Sequence, residues 1–289
     1  MNPIGSACVA GYHFALFNQS SLPIIFDIGF SSFLKEQVPC ADRNLSFHEG
    51  FIEFDITARL YQAKNNDQLL WEIVDTNKGR WFLVYHPENG NLQQQAQYDS
   101  KQGSWTIHCK SEQHLNEDVL NPLAYPMAPL LWYQLTTEEP LLLIHASGIF
   151  DGEKGRIFAG FSGVGKSTMA KIWQQAGAQI INDDRLLIKK ENDGTWRMHN
   201  TPMYYQDEPK SAKLQHIYFP YHHPSNTHDL ILGAKAIAQL LAFTIHHGYD
   251  IKHLLHHSLI AEELLKDLGA AKLGVVPNEQ IVLFIKANE

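Results

Sequence analysis

The chain has 289 residues, a formal net charge of −8 and three cysteines, Cys8, Cys40 and Cys109. That length suits one large or two modest domains with a real core, and an acidic balance without any basic cluster argues against a nucleic-acid partner. Cysteines this few and this far apart have neither metal nor redox spacing, which fits a reduced cytoplasmic setting. The start, Met1 to Cys8, lacks a secretion signal, and no apolar run reaches membrane length, so no membrane partner is expected.

Residues 1 to roughly 110 alternate apolar and polar positions in short runs, the pattern of antiparallel sheet. The predicted strands are Val9 to Phe17, Pro23 to Ile28, Gly50 to Tyr61, Leu70 to Val74, Trp81 to His86 and Trp105 to Cys109. Turn residues at Asp75 to Gly79 and Pro87 to Asn91 predict hairpins. His13, His48, His86 and His108 read as satisfied sheet residues, and no catalytic constellation is visible in this half. Lys110 to Asp118 reads as a polar surface connection, and Pro122 to Leu135 carries a helix-like run. The boundary is placed near Pro122, dividing a β-rich region (1–122) from a catalytic domain (123–289).

Leu141 to Phe150 is a predicted strand, and Asp151 to Gly155 a hairpin into the next strand, Gly155 to Ala159. Gly160-Phe161-Ser162-Gly163-Val164-Gly165-Lys166-Ser167 then fits the phosphate-loop pattern in full, between a strand and a helix that Gly177 stops. Glycines let backbone amides turn onto phosphate oxygens while the helix offers its positive end to the same anion. Gly160, Ser162, Gly163, Val164, Gly165, Lys166, Ser167 and Thr168 are therefore the predicted nucleotide-binding residues. Lys166 supplies charge to the β and γ phosphates, and the Ser167 hydroxyl is a Mg²⁺ ligand.

Ala178 to Asn182 reads as a strand running into Asp183-Asp184. In an α/β sheet that strand end shares an edge with the phosphate loop, so two carboxylates arrive together, one for metal and one for a proton. His145, on the neighbouring strand, lies at a depth that can reach the phosphates. Arg185 to Lys190, Trp196 to Asn200 and Leu214 to Pro220 complete the predicted strands. Thr201 to Pro209 is a loop whose tyrosines either line an acceptor pocket or anchor the loop.

The last segment reads as helical, Ala234 to His246 and Tyr249 to Leu268. Its histidines, His246, His247, His253, His256 and His257, read as a solvated, partly titrating face. No partner residue completes a metal shell at familiar spacing.

The arrangement Ile144-His145-Ala146, Gly160 to Thr168 and Asn182-Asp183-Asp184 resembles the HPr serine kinase/phosphorylase family and its phosphoenolpyruvate carboxykinase-like relatives. The likeness spans about residues 141 to 220. It implies an α/β (α+β) fold with a mixed sheet and flanking helices, preceded by the antiparallel β-rich region, and a homo-oligomeric state. It also implies transfer of the γ-phosphate of ATP to a hydroxyl, with Mg²⁺ as cofactor. The acceptor is a serine of a protein or peptide, or else a small metabolite. By position, Asp183 resembles the family's catalytic base, Asp184 its metal-side carboxylate and His145 its histidine near the transferred phosphate, with Lys166 in the catalytic set. Thr168 stands where the family usually carries Glu, and Arg197 to Pro202 replaces its Glu-x-Arg-Gly-Leu-Gly signature, so the resemblance is to a divergent kinase rather than the bifunctional enzyme. The rival reading is an ATP-dependent binding or scaffold protein that moves no phosphate.

Overall fold

The computed structural model describes residues 3–35, 41–245 and 249–289, so Cys40, His246 and His247 lie outside the described residues. The chain divides into two compact units. The first holds the chain as far as Leu131 with Pro202–Glu208, and the second holds Trp132–Thr201, the described residues of 209–246, and Asp250–Glu289.

In the first unit, strands β1 (Gly5–Val9), β2 (Tyr12–Asn18), β3 (Leu34–Lys35), β4 (Arg43–Glu49), β5 (Ile56–Asn65), β6 (Gln68–Thr76), β7 (Gly79–Tyr85), β8 (Leu92–Asp99) and β9 (Ser104–Cys109) build one sheet in the order β3-β1-β2-β4-β9-β8-β7-β6-β5. A single helical turn, α1 (Ile28–Ser31), precedes β3, and a separate hairpin pairs β10 (Glu112–His114) with β11 (Glu117–Val119). The expected hairpins at Asp75 to Gly79 and Pro87 to Asn91 join β6 to β7 and β7 to β8.

Several expectations need correction. The run Val9 to Phe17 breaks at Ala10-Gly11, where both residues take positive φ and fold the chain into the β1–β2 hairpin. Pro23 to Ile28 makes one isolated bridge, Ile24 to Leu120, and then turns helical. Strand begins only at Ile56 in the run Gly50 to Tyr61. The polar stretch after Lys110 is the β10–β11 hairpin. The sheet is not purely antiparallel either, because β4 lies parallel to both β2 and β9.

The division between the units falls within α2 (Met127–Thr136). The second unit continues with β12 (Leu141–Phe150), β13 (Gly155–Ala159), α3 (Lys166–Gln175), β14 (Gln179–Asn182), β15 (Arg185–Lys190), β16 (Trp196–Asn200), β17 (Ser211–Lys213), β18 (His216–His222), β19 (Thr227–Ile231), α4 (Gly233–Leu241), α5 (Ile251–Leu268), β20 (Ala270–Val275) and α6 (Gln280–Ala287). The sheet order is β17-β16-β15-β12-β13-β18-β20-β19, with β14 also pairing β12, and it is mixed: β13, β18 and β20 run parallel, and the other pairings are antiparallel. The terminal region is thus not wholly helical, since β19 and β20 form one end of the sheet.

Strand alternation decides which layer each side chain joins, because successive residues face opposite sides of a sheet. Ile144 and Ala146 of β12, with Ile157 and Ala159 of β13, pack in one core with Ala236 and Leu240 of α4 and Ile260, Ala261 and Leu264 of α5. Ile149 and Phe158 face the other way and pack with Met169, Ala170 and Trp173 of α3 and with Ile281, Val282 and Ile285 of α6. The unit is therefore a three-layer α/β/α sandwich. Burying side chains of this size stabilises by roughly 1.5–3 kcal/mol each, so α3 is pinned under β13 by its own apolar face.

The far end of β13 is held by charge. Arg156 is buried, its Nε and Nη2 donating to Glu289 at 2.6 and 2.7 Å, with Nη1 3.0 Å from Asp151. Its guanidinium lies 4.4 Å from the ring centre of Trp173 on α3, and the Tyr218 hydroxyl donates to Glu289 at 3.0 Å. Among the described residues no helix is long and apolar enough to cross a membrane.

Candidate active site

The site forms where β13 and β14 end on the same edge. Both strands are antiparallel to β12 and therefore parallel to one another in direction. β13 delivers Gly160–Gly165 and the start of α3, while β14 delivers Asp183 and Asp184. Gly163 and Gly165 have φ of +81° and +99°, a left-handed conformation that side chains with a Cβ rarely adopt, so the turn into α3 requires glycine at both positions. The helix is entered directly, with the Met169 amide donating to the Gly165 carbonyl at 2.9 Å. The first-turn amides of α3 are left pointing into the loop, the arrangement that receives anions.

Lys166 folds back into this loop, its ammonium donating to the carbonyls of Gly160 at 2.8 Å and Phe161 at 3.0 Å. Burial pushes its pKa below the ordinary lysine value, against the opposing influence of the Asp183 and Asp184 charges. The cleft has a volume of about 330 Å³ and is lined by His145, Ser162, Gly163, Gly165, Lys166, Ser167, Thr168, Asp183 and Asp184. Ser167 and Thr168 are exposed. Of the remaining candidates, Gly160 and Val164 do not line the cleft: Val164 packs over Gly160, where an added Cβ would meet Val164 Cγ1 at 2.7 Å.

The two aspartates are held by different neighbours. Ser147 Oγ, fully buried on β12, donates to Asp183 Oδ1. His145, two residues earlier on the same face of β12, places Nδ1 at 3.1 Å from Asp184 Oδ1 and 3.0 Å from the Asp184 carbonyl. Both of those oxygens accept, so Nδ1 carries the proton and Nε2 is the nitrogen left for other work. Burial alone would raise the Asp184 pKa. The His145 bond and the charges of Arg185, His145 and Lys166 outweigh it, so the carboxyl lies below its ordinary value. Asn182 shapes the turn, its Oδ1 accepting from the amides of Asp184 at 2.8 Å and Arg185 at 3.0 Å.

Ser147, Asn182 and Arg185 were not among the residues that sequence reasoning selected. For Ser147 the signal was present, because i and i+2 on a strand share a face and His145 had been singled out. The histidines of α5 need correction. His257 is fully buried, with Nε2 donating to the Thr136 carbonyl at 2.9 Å, and His256 bonds the Glu139 carbonyl at 3.0 Å. They fasten α5 to the C-terminal end of α2 and to the turn after it rather than form a solvated face. Among the described residues no group of three or more His, Cys, Asp or Glu side chains is placed to hold a metal. Pro202–Glu208, with Tyr204 and Tyr205, belongs to the first unit, whereas the residues of the cleft belong to the second.

The oxygen donors present fit one kind of metal. Mg²⁺ keeps most of its water and takes only one or two protein oxygens beside substrate phosphates. A Ser167 hydroxyl exposed on the cleft and an Asp184 carboxylate whose lowered pKa keeps it ionised supply such a pair.

No family model matches the chain, and no curated protein matches it. Among solved structures, the chain is similar to the Hpr(Ser) kinase/phosphatase from Coxiella burnetii over 50% of its own length and 94% of that chain, at 10% identity and a TM-score of 0.29. The likeness is distant and concerns fold alone. By its own geometry the second unit is a mixed α/β sandwich with a glycine-turned strand-loop-helix cradle and two aspartates at one sheet edge.

Proposed function

We propose that the protein is an ATP-dependent phosphotransferase that moves the γ-phosphate to a hydroxyl. The observation that carries this reading is the meeting of Lys166, the turned glycine loop and both aspartates in one cleft. The amides of the loop and of the first turn of α3 hold the triphosphate, and Lys166 exchanges its carbonyl partners for phosphate oxygens. Bound Mg²⁺, held from Ser167 and Asp184, supplies charge neutralisation for the phosphates.

Asp183 is the acceptor's base. Ser147 occupies its Oδ1, which leaves Oδ2 to take the hydroxyl proton. The acceptor O–H bond breaks toward Asp183 as the acceptor oxygen bonds to the γ-phosphorus. The bond from that phosphorus to the β,γ-bridging oxygen breaks, and ADP leaves with its electron pair. Catalysis of this type is chiefly positioning and charge stabilisation. His145 acts through Asp184, fixing the carboxylate's orientation.

The test is to incubate the protein with γ-labelled ATP and a cell lysate, then separate protein from small molecules. Label in the protein fraction supports a protein or peptide acceptor, and label among small molecules supports a metabolite. Asp183→Asn retains ATP binding and loses transfer; equal transfer by mutant and parent would remove Asp183 as base. ATP bound with label in neither fraction would replace this reading with that of a nucleotide-dependent scaffold.

A further inference from the structure

Helix α5 has two opposed faces. Ile260, Ala261 and Leu264 are buried in the core with the sheet, and His257 on the same side is buried against Thr136. The opposite face carries Lys252, Leu255, Leu259, Glu262 and Lys266, spaced three and four residues apart, and all five are exposed. Leu255 and Leu259 are 58% and 67% exposed, and Ile251, one turn before Leu255, is 65% exposed. Alternate spacings of three and four define the seam along which two helices pack. A seam with leucines at its centre and charges at its ends is built for a partner helix, whereas scattered apolar residues would need no explanation.

The order of charges selects the partner and its direction. We infer that this face pairs with a second copy of the chain, the two α5 helices running antiparallel about a two-fold axis. Leu255 then packs on Leu259 of the partner subunit, and Lys252 meets Glu262 of the partner subunit. By symmetry each contact occurs twice, and the two ion pairs close both ends of a four-leucine core. Among the described residues neither Lys252 nor Glu262 takes part in an ion pair. A parallel pairing would oppose lysine to lysine and glutamate to glutamate. Of the other antiparallel registers, the one with Leu255 on its own symmetry mate pairs neither charge, and the one with Leu259 on its own mate sets Lys252 against Lys266 of the partner subunit. Only the stated register satisfies leucines and charges together, and a self-complementary patch is what a two-fold dimer requires.

One helix face per subunit is a small interface, so the dissociation constant falls in the micromolar range. The experiment is sedimentation equilibrium of the full chain up to concentrations on the order of 100 µM, with circular dichroism as the folding control. The parent dimerises. Leu255→Glu with Leu259→Glu is monomeric and folded. Lys252→Glu alone, or Glu262→Lys alone, sets like charges together in both ion pairs and weakens the dimer about tenfold. The double change Lys252→Glu/Glu262→Lys restores it. A parent that stays monomeric throughout overturns the proposal, whether the stripe is left bare or covered by a different partner. So does a dimer that survives the paired leucine changes, or a double charge exchange that is weaker than either single one. None of these residues lines the cleft, so failure here leaves the phosphotransfer reading standing.

Discussion

His145→Ala separates a residue that serves the reaction from one that serves the fold. The imidazole makes one charge-assisted hydrogen bond, 3.1 Å to Asp184, at a site where its side chain is 39% exposed. A bond to a charged group is worth roughly 1.5–3 kcal/mol when shielded, and solvent at this edge reduces that to about 1 kcal/mol. For a unit of this size that is a loss in Tm of about 2–5 °C. The effect on activity is larger. Partners that orient a metal-side carboxylate typically contribute 10–100-fold to metal affinity or turnover, so the Mg²⁺ concentration for half-activation should rise by about that factor. The assay is initial rate against Mg²⁺ at saturating ATP, paired with thermal melts of the same two proteins. ATP binding in the absence of metal should change little, because the loop and Lys166 are untouched. A fall in Tm above about 10 °C with intact turnover and unchanged Mg²⁺ dependence would refute the reasoning and leave His145 a structural strand residue.

Ser147→Ala removes the only side chain bonded to Asp183 among the described contacts, and should lower kcat about tenfold, the scale of one hydrogen bond, with ATP affinity unchanged. Ser147→Thr, which keeps the hydroxyl, should recover part of the loss, and an equal loss in both variants would point to packing instead. Arg156→Met removes the buried cation shared by Glu289 and Asp151, leaving Lys154 at 3.2 Å from Glu289 and Lys286 at 3.1 Å from Asp151 as partial replacements, and should cost about 3 kcal/mol of stability, the low end for breaking a buried pair, read by denaturant titration. Glu289 and Asp151 both lie below their ordinary pKa values. Burial alone would raise them, but Arg156 outweighs it for Glu289, and the backbone amides of Lys154 and Glu153, with Lys286 and Arg156, outweigh it for Asp151. A depressed folded pKa contributes stability that is complete above the unfolded value, near pH 4, and is lost as pH falls through the folded one. The parent's Tm should therefore fall steeply below about pH 4, and the Arg156→Met slope should be flatter.

The second unit was legible where local pattern and tertiary role agree. Leu141 to Ile144 is apolar enough to be a buried strand in any context, and the glycine spacing at 160–165 dictates a turn that few other sequences would make. One strand that went unread, β8, has a buried face that is not apolar. β8 reads Leu-Gln-Gln-Gln-Ala-Gln-Tyr-Asp, and its fully buried Gln94 donates through Nε2 to the Asn121 and Ala124 carbonyls, at 3.4 and 3.5 Å. Periodicity searches for hydrophobes and passes over such a strand. β20, Ala270–Val275, is made largely of residues that also suit helices, and its pairing parallel to β18 decides otherwise. The burial of His257 was recoverable, because it precedes Ile260, Ala261 and Leu264 by three, four and seven residues and so falls on their stripe.

At the site, the chemistry was readable as residue types and the division of labour was not. Adjacent aspartates give no sequence signal for which is buttressed by what, since that depends on the register that sets Gly148 opposite Asn182 and His145 opposite Arg185. A bulge between Gly148 and Ile149 shifts that register, and no pattern in the sequence announces it. Yet the consequence is simple. Alternation along β12 puts His145 and Ser147 on one face, and β14 ends beside them, so each side chain reaches a different carboxylate. If that is how the pair is divided, the two losses belong to separate functions. His145→Ala should act through Mg²⁺ dependence and Ser147→Ala through the acceptor step, and the double variant should show their product. A double variant no worse than either single one would mean that Asp183 and Asp184 work as one unit.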